Sequence, residues 1–364
     1  MEEEEFSDPP SPELSPPRQQ QSTSFDRENH VTFLEMMYHM LPSHYQSQEI
    51  NHLTLAYFVV SGLDILHALD RIDKEVVSDW VLSFQARPCV QSDLRNGQFY
   101  GFHGSRSSSY ASDGNERNAS HLASTYCALA ILKIVGYDMS KFDSEPILLS
   151  LRSLQQPDGS FMPIHTGAEK DLRFVYCAAA ICSILNSWDG MDKERVVGYI
   201  SNCQSYDGGF GLSPGLESHG GATYCAVASL QLMGLLSDDP MLNPTSTSKI
   251  NRQSLLDWTI QRQAADGGIQ GRPNKPSDTC YAFWMGAVLR ILGVGELIDR
   301  DALRRFLLTC QSEYGGFSKF PGDLPDLYHS FYGIAAFSLL DELGLKPLLA
   351  ELGLSLADAN CVLT

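Results

Sequence analysis

The stretch QSYDGGF at residues 204–210 decides the fold, because related stretches recur along the chain. The clear recurrences are QQPDGSF (155–161), QAADGGI (263–269) and QSEYGGF (311–317), and GQFYGFHG (97–104) is a degenerate copy. The four clear copies begin at residues 155, 204, 263 and 311, so successive starts lie 49, 59 and 48 residues apart. A period near fifty predicts one supersecondary unit that stacks on copies of itself.

The segments between these stretches indicate helical hairpins. Each copy is followed by a loop and an apolar helix that opens with an aromatic residue, as in RFVYCAAAICSIL (173–185). A second helix, such as DKERVVGYISNC (192–203), then leads to the next copy. Five or six hairpins with small residues at the helix starts predict a closed ring that is a single all-α domain. Within each copy we expect Gly to end a helix in the left-handed conformation and the following Phe or Ile to anchor the turn in the core.

Composition limits the class of protein. The chain has 364 residues and a formal net charge of -18, which disfavours a nucleic-acid partner. Its nine cysteines are odd in number and lack framework spacing, which is typical of reduced thiols in an intracellular protein, here expected to be cytoplasmic. No apolar run is long enough to span a membrane, and the acidic N-terminus does not read as a signal peptide.

The two ends of the chain differ from the repeats. Residues 1–25 are rich in Pro, Ser, Glu and Gln, which predicts a disordered acidic tail. Residues 26–355 should form the single domain, and residues 356–364 a short C-terminal tail. The last four residues, CVLT (361–364), look like a lipidation box, but no polybasic segment precedes them and Thr is an atypical last residue. Coincidence is the better interpretation of Cys361.

The string RPNKPSDTCY (272–281) carries the strongest chemical signal. It places the carboxylate of Asp278 two residues before the thiol of Cys280, and an imidazole, His329, lies far downstream. Asp, Cys and His can supply three zinc ligands and leave a fourth position open, which is the pattern of a catalytic site. Because positions i and i+2 do not face each other within a helix, Asp278 should lie at a helix start with Cys280 in the first turn.

Basic side chains precede these three residues. Arg272 and Lys275 add positive charge beside the open metal position, which suits a phosphate or diphosphate. A zinc site next to a diphosphate pocket predicts that a metal-activated nucleophile displaces a diphosphate. Taken alone, Asp-x-Cys would instead indicate a helix cap beside a buried Cys, and Lys275 would be an ordinary surface lysine.

The repeats combined with Arg-x-x-Lys-x-x-Asp-x-Cys-Tyr and the downstream Tyr-His make the chain resemble the β subunits of protein prenyltransferases, specifically those of the geranylgeranyltransferase type I group. The resemblance runs from about His30 to about Leu354. It implies an α/α toroid, with inner helices around a central cavity, and an obligate heterodimer with an all-helical α subunit. It further implies transfer of geranylgeranyl from geranylgeranyl diphosphate to the Cys thiol of CaaX proteins such as small GTPases, with X preferably Leu.

The resemblance also assigns roles to individual residues. Asp278, Cys280 and His329 match the zinc ligands, and one Zn²⁺ is expected per β subunit. The diphosphate-binding set is matched by His219, Arg272, Lys275 and Tyr281. Arg173 matches a residue near the lipid and the peptide end, although an ion pair with Asp171 is the alternative for this residue. Lys319 stands where the farnesyl enzyme has an Asp that holds Mg²⁺, so we expect turnover that does not require magnesium.

Further matches concern specificity. Thr54 and Phe58 replace two Trp residues of the farnesyl enzyme, and the smaller Thr54 is expected to deepen the cavity by roughly one isoprene unit. The pocket for residue X is matched by His121, Ala123 and Phe174. Tyr176 and Trp284 match aromatics that line the lipid channel, where apolar walls suit an isoprenoid. Aromatics at inner-helix starts are otherwise ordinary core residues.

Three rival functions remain open from the sequence. A protein farnesyltransferase β subunit is the runner-up and is disfavoured by Thr54 and Lys319. A geranylgeranyltransferase acting on Rab proteins ranks third. A non-catalytic toroidal binding scaffold comes from another class. A scaffold would keep the Gly-Gly turns but would not need Asp278, Cys280 and His329.

Overall fold

The computed structural model describes residues 24–86, 100–105, 120–165, 167–236 and 250–355. Six helices form an outer layer: α1 (Arg27–His39), α3 (Lys74–Leu82), α5 (Glu145–Leu154), α7 (Lys193–Cys203), α9 (Arg252–Ile260) and α11 (Arg300–Cys310). Six helices alternate with them: α2 (His52–Ile65), α4 (Leu122–Ile134), α6 (Leu172–Ile184), α8 (Gly220–Leu232), α10 (Thr279–Ile291) and α12 (Leu327–Leu339).

The remaining elements are short. Segments of 3-10 helix span Ser43–Asn51, which is kinked at Gln48, and Leu69–Arg71, Met139–Lys141 and Gly295–Leu297. Two antiparallel pairs of two-residue strands complete the described fold: β1 (Gln85–Ala86) with β2 (Gly101–Phe102), and β3 (Leu348–Leu349) with β4 (Leu354–Ser355). No helix within the described ranges is long and apolar enough to cross a membrane.

The even-numbered helices form a closed inner ring. Each packs on the next, from α2 to α12, and α12 packs back on α2. These helices are buried almost all round, so that every residue of α6 except Arg173 is buried. The outer helices bury one face only, as α11 does with Leu303, Phe306 and Leu307. The predicted all-α toroid is therefore confirmed.

The repeated turns join the outer helices α3 to α11 to the inner helices that follow them. An isolated antiparallel bridge closes each turn, pairing Gln204 with Phe210 in the second clear copy. The prediction that Gly ends the helix was wrong. In the second clear copy, α7 ends before the turn because the backbone of Gln204 is already extended. The glycine with positive φ comes four residues later, with a φ of 101° at Gly208. The apolar anchor was predicted correctly, since Phe161, Phe210, Ile269 and Phe317 are all buried.

The glycine with positive φ also marks where neighbouring hairpins touch. A Cβ on Gly208 would lie 2.1 Å from the carbonyl oxygen of Ser254 in α9, and one on Gly315 would lie 2.0 Å from that of Asn29 in α1. Any larger residue at either position would therefore push the turn away from the next outer helix. Because Gly315 meets the first helix of the chain, the same contact closes the ring.

The glutamine of each turn holds the next outer helix. Gln204 accepts a hydrogen bond from the backbone N–H of Asn251 and donates one to its carbonyl, at 2.9 and 3.0 Å. Gln155 and Gln263 make the same pair of bonds to the residues that cap α7 and α11. Gln311 accepts from the N–H of Asp26, which caps α1. The glutamines therefore link successive hairpins around the ring.

The first turn of this kind was located incorrectly from the sequence. The degenerate copy was placed at residues 97–104, of which residues 97–99 lie outside the described structure. Gln85, not a residue of that stretch, is paired with Phe102, as Gln155 is paired with Phe161. A long insertion between the two partners hides the motif, because its Gln and its Phe are 17 positions apart instead of six.

The segment after α12 turns back into the ring. The hydroxyls of Tyr57, Tyr126 and Tyr224 donate to backbone carbonyls of residues 353, 352 and 350, respectively. The ammonium of Lys346 lies 2.5 Å from the buried carboxylate of Asp64 near the end of α2. This segment therefore fills part of the interior and is fixed to the inner helices by hydrogen bonds.

Other sequence predictions concern cysteines and termini. The seven cysteines within the described ranges are all buried and free, as predicted for a protein with reduced thiols. Asp192 caps α7, where its carboxylate accepts a hydrogen bond from the backbone N–H of Arg195. The acidic tail up to residue 23 and the segment containing Cys361 lie outside the described residues.

Candidate active site

The first residues of the inner helices build the site. Four inner helices begin at a polar N-cap residue that follows a repeated turn in the sequence. These residues are His121 of α4, His219 of α8, Asp278 of α10 and Asp326 of α12. The backbone N–H of each donates to the carbonyl of the buried apolar anchor in its own turn, namely Phe102, Phe210, Ile269 and Phe317. The repeat that makes the fold therefore also sets these side chains at one end of the ring.

The three predicted metal ligands lie together at this end. One ligand atom each of Asp278, Cys280 and His329 falls within 4.8 Å of the others, and all three residues are buried. As predicted, Asp278 is the N-cap of α10, where its carboxylate accepts from the backbone N–H of Cys280 in the first turn. The Oδ1 of Asp278 and the Nε2 of His329 are 3.4 Å apart.

These residues fit a zinc ion. Tetrahedral zinc with bonds of about 2.0–2.1 Å places two ligand atoms about 3.3–3.4 Å apart, which matches the Asp–His separation. Burial raises the pKa of the Cys280 thiol, and the charge of Asp278 raises it further. Burial also opposes ionisation of Asp278, but hydrogen bonds from His329 and Cys280 hold the pKa of that carboxyl below its usual value. A bound dication would stabilise both anionic forms in this buried place.

Asp326 orients the imidazole of His329. Its Oδ2 lies 2.6 Å from Nδ1 of His329, and its Oδ1 accepts from the His329 backbone N–H at 2.9 Å. A proton on Nδ1 leaves Nε2 facing Asp278, as expected for a metal-binding histidine supported by a carboxylate. Burial lowers the pKa of His329, but the bonds to Asp278 and Asp326 outweigh it and raise the pKa to about 9.

Lys319 lies beside the three predicted metal ligands. Its ammonium is 3.8 Å from Oδ2 of Asp278, and its side chain is about half exposed at 48%. The backbone carbonyl of Lys319 also accepts a hydrogen bond from the N–H of Thr279, the first residue of α10. The structure therefore brings Lys319 to Asp278, one of the predicted metal ligands, with its charge open to an anion.

His219 and Tyr281 form a hydrogen-bonded pair next to this group. The Nδ1 of His219 accepts from the backbone N–H of Gly221, so the ring proton of a neutral His219 is on Nε2. That Nε2 lies 2.9 Å from the Tyr281 hydroxyl, which can therefore donate its own proton to an anion. Burial lowers the pKa of His219, and the charge of Arg272 lowers it further, which favours the neutral ring.

The two predicted cations of the loop are placed differently. The Nη1 of Arg272 lies 2.6 Å from Oε2 of Glu217, two residues before His219. The backbone carbonyl of Gly271 accepts from the N–H of Gly220, which brings the Arg272 loop to the start of α8. Lys275 is exposed. His219, Tyr281 and Arg272 are thus brought together, with Lys275 three residues further along the same loop.

Arg173 forms an ion pair with Asp171, which was the alternative interpretation of this residue from the sequence. Its guanidinium binds Asp171 at 2.7 Å and Glu169 at 2.6 Å. Arg173 lies in the first turn of α6, which packs between α4 and α8, and its charge lowers the pKa of His121 and of His219. His121 accepts from the backbone N–H of Ala123 at 3.1 Å, and its ring lies edge-on to Phe174. The predicted pocket for X is thus one contiguous group.

Aromatic side chains form a belt around the inner ring. Contacts between ring centroids of 4.4–5.9 Å run in turn through Tyr57, Tyr126, Tyr176, Tyr224, Trp284, Tyr332 and Phe58, and Phe58 contacts Tyr57 again. The belt includes the predicted Tyr176, Trp284 and Phe58. The hydroxyl of Thr54 lies 3.7 Å from the sulfur of Cys127, one inner helix further on.

Sequence reasoning missed several residues of the site. Asp326 was not identified, although Asp three residues before His is a helix-cap pattern that could have pointed to it. Glu217 could not be identified from the sequence, because its ion-pair partner Arg272 is 55 positions away. The aromatic belt was only partly identified, because the recurring aromatic at each inner-helix start is equally typical of a core.

Comparison with known proteins gives the family. A model of the prenyltransferase alpha-alpha toroid domain matches residues 25–354. The chain therefore belongs to the prenyltransferase family that has this domain, and the resemblance drawn from its repeats and motif is confirmed.

Individual relatives are more specific. The chain is 64% identical over 351 residues to the geranylgeranyl transferase type-1 subunit beta of Arabidopsis thaliana, covering 95% of this chain and 94% of that protein. It is 37% identical over 328 residues to the subunit of the same name from Dictyostelium discoideum, covering 86% and 90%. Within the family, the chain groups with the type-1 β subunits.

A solved structure has the same fold. Candida albicans protein geranylgeranyltransferase-I complexed with GGPP superposes with a TM-score of 0.81 at 24% identity, covering 93% of this chain and 98% of that one.

Proposed function

We propose that this chain is the catalytic β subunit of a zinc-dependent protein geranylgeranyltransferase type I. The observation that carries the proposal is the buried group of Asp278, Cys280 and His329, whose ligand atoms lie within 4.8 Å of one another, in a chain of this family. The cations and hydroxyl next to it suit a diphosphate, and the aromatic belt suits a long isoprenoid.

The acceptor is proposed to be the Cys of a CaaX sequence. Zinc held by Asp278, Cys280 and His329 would lower the pKa of the acceptor thiol and supply a nucleophile at neutral pH. Asp326 keeps the His329 ring oriented for this role through its 2.6 Å contact. Sulfur bonds to C1 of the isoprenoid as the C1–oxygen bond to diphosphate breaks, and the thiol proton leaves to solvent.

The leaving diphosphate takes on negative charge, and donors aimed at it stabilise that charge. We assign this role to Tyr281, Arg272 and Lys275, with neutral His219 orienting the Tyr281 hydroxyl. Lys319 adds a further positive charge beside Asp278, which supports turnover without magnesium. The positive ends of the inner helices also face this end of the ring.

Specificity is proposed to come from the interior. The aromatic belt with Thr54 would accommodate a geranylgeranyl chain, since Thr54 is small. His121, Ala123 and Phe174 would contact the last residue of the acceptor, with Arg173 nearby. An α subunit is the proposed partner in a heterodimer that modifies small GTPases in the cytoplasm, and residues 26–355 are proposed as one catalytic domain between two tails.

The rival functions find less support. A farnesyltransferase would be expected to carry Trp at Thr54 and an acidic residue at Lys319. A scaffold without catalysis would not need a carboxylate, a thiol and an imidazole within 4.8 Å, nor the carboxylate of Asp326 supporting that imidazole.

The test compares two buried cysteines in the heterodimer formed with a prenyltransferase α subunit. Cys280→Ala should lose stoichiometric zinc and transfer of geranylgeranyl to a CaaX peptide ending in Leu. Cys310→Ala, which also removes a buried thiol, should keep both. Geranylgeranyl diphosphate should still bind to the Cys280 variant. Full zinc and full transfer in Cys280→Ala would contradict the assignment.

A further inference from the structure

The loop that carries Arg272 and Lys275 is a tight hairpin. An antiparallel bridge pairs Gln270 with Ser277. The bridge closes the loop, and a turn with Pro273 and Asn274 at its centre forms the tip. Arg272 and Lys275 are the first and fourth residues of this turn, whose Cα atoms lie less than about 7 Å apart in a β-turn. The two cations are therefore held near each other.

The tip depends on an unusual backbone conformation. Asn274 has φ of +62°, in the left-handed region that most L residues avoid. Pro followed by a residue with positive φ is the signature of a type II turn, which brings the first and fourth residues together. Here the first and fourth residues are Arg272 and Lys275.

Asn274 differs from the other non-glycine residues that have a positive φ. Within the described ranges, the other non-glycine residues with positive φ are His67, Asn186 and Asp341. Each of these stands two positions after the last residue of an inner helix, where a left-handed residue commonly ends a helix. Asn274 ends no helix, so its conformation serves the hairpin alone.

The hairpin concentrates charge that the described protein only partly neutralises. Like charges held close together repel each other. Glu217 pairs with Arg272 through a single nitrogen, Nη1, and no described acidic side chain forms an ion pair with Lys275. A ligand with two negative groups would offset the repulsion between the two cations.

We propose that Asn274 is a positioning residue for the diphosphate. Its left-handed backbone holds Arg272 and Lys275 near each other, so that both reach one diphosphate. The inference rests on the proposed function, which makes these two cations ligands of the diphosphate. The tip is exposed from Pro273 to Pro276, so nothing packed against it would keep the turn if residue 274 disfavoured positive φ.

Substitution of Asn274 by Gly or by Ala distinguishes the effect of the backbone conformation from the effect of the side chain. Both Asn274→Gly and Asn274→Ala remove the amide, but only Ala disfavours positive φ. In the zinc-loaded heterodimer, we expect Asn274→Gly to bind inorganic diphosphate and geranylgeranyl diphosphate within about twofold of the parent. Asn274→Ala should bind both about five- to tenfold more weakly.

Asn186→Ala is the matched control, because Asn186 has φ of 49° after α6, away from the loop. It should lower the melting temperature and leave the affinity for diphosphate unchanged. Asn274→Ala should show the reverse: unchanged melting temperature and zinc content, a higher KM for geranylgeranyl diphosphate, and little change in kcat. A general loss of structure would not produce this split.

Two results would overturn the inference. Equal weakening by Gly and Ala would show that the amide itself contacts the ligand, and unchanged affinity in Asn274→Ala would show that the turn does not position the cations. Arg272→Ala and Lys275→Ala test the underlying assignment separately. If both keep full affinity for inorganic diphosphate, the proposed role of these cations fails. If both weaken it while Asn274→Ala does not, only the positioning role fails.

Discussion

The support that Asp326 gives to His329 makes a quantitative prediction about zinc. Asp326 has two functions, since Oδ1 caps α12 and Oδ2 accepts from the ring of His329. Asp326→Asn separates them. Asn caps helices about as well as Asp, so its one carbonyl oxygen can replace the cap. The charged acceptor for Nδ1 is then lost.

The expected magnitude follows from this loss. Removing a carboxylate that orients a metal-bound histidine typically weakens metal affinity about 10- to 100-fold. That range corresponds to about 1.4–2.7 kcal/mol. Folding stability should change by only a few tenths of a kcal/mol in Asp326→Asn. Asp326→Ala should lose the cap as well and unfold about 1 kcal/mol more easily.

The assay is competition for zinc between the heterodimer and a chromophoric chelator at constant pH. Asp192→Asn is the control, because Asp192 caps the outer helix α7 and accepts from the N–H of Arg195 at 3.1 Å, remote from the metal ligands. Its zinc affinity should equal that of the parent. A parent-like zinc affinity in Asp326→Asn would refute the reasoning that Oδ2 supports the metal through His329.

Three further predictions concern pH, lipid length and magnesium. Burial lowers the pKa of His30 to about 4, against 6.5 when exposed, so its stabilising contribution is complete above pH 6.5 and lost as pH falls toward 4. When pH falls from 7 to 5, the unfolding free energy of the parent should therefore decrease by about 2 kcal/mol more than that of His30→Gln. The same decrease in unfolding free energy in both proteins would contradict this. Thr54→Trp should shift donor preference toward farnesyl diphosphate, whereas an unchanged ratio of kcat/KM values would show that Thr54 does not set chain length. Transfer should persist in a magnesium chelator that leaves zinc bound, because Lys319 supplies the charge; a collapse of the rate would exclude that role.

The local part of the site could be predicted from the sequence. The spacing of Asp278 and Cys280 indicated a helix start, and Asp278 caps α10 with Cys280 in its first turn, as expected. The turn motif predicted the ring because each copy carries its own buried anchor, such as Phe210. These features depend on residues close together in the chain, where propensities and spacing are informative.

Contacts between residues that are far apart in the sequence could not be predicted. The glutamine of one turn bonds to the cap of the next hairpin, and Gln311 reaches Asp26 across 285 positions to close the ring. Likewise, Glu217 meets Arg272 only because the loops before α8 and α10 are neighbours in the toroid. One sequence holds no pattern for such contacts, and an insertion concealed the pairing of Gln85 with Phe102.

The most direct test of the central claim is single-turnover transfer by the heterodimer to a CaaX peptide ending in Leu. Geranylgeranyl and farnesyl diphosphate are compared before zinc removal, after it, and after zinc is restored. We expect transfer that favours the twenty-carbon donor, is lost when zinc is removed and returns when zinc is restored. Transfer that persists without zinc would contradict the role of Asp278, Cys280 and His329, and preference for farnesyl diphosphate would contradict the type I assignment.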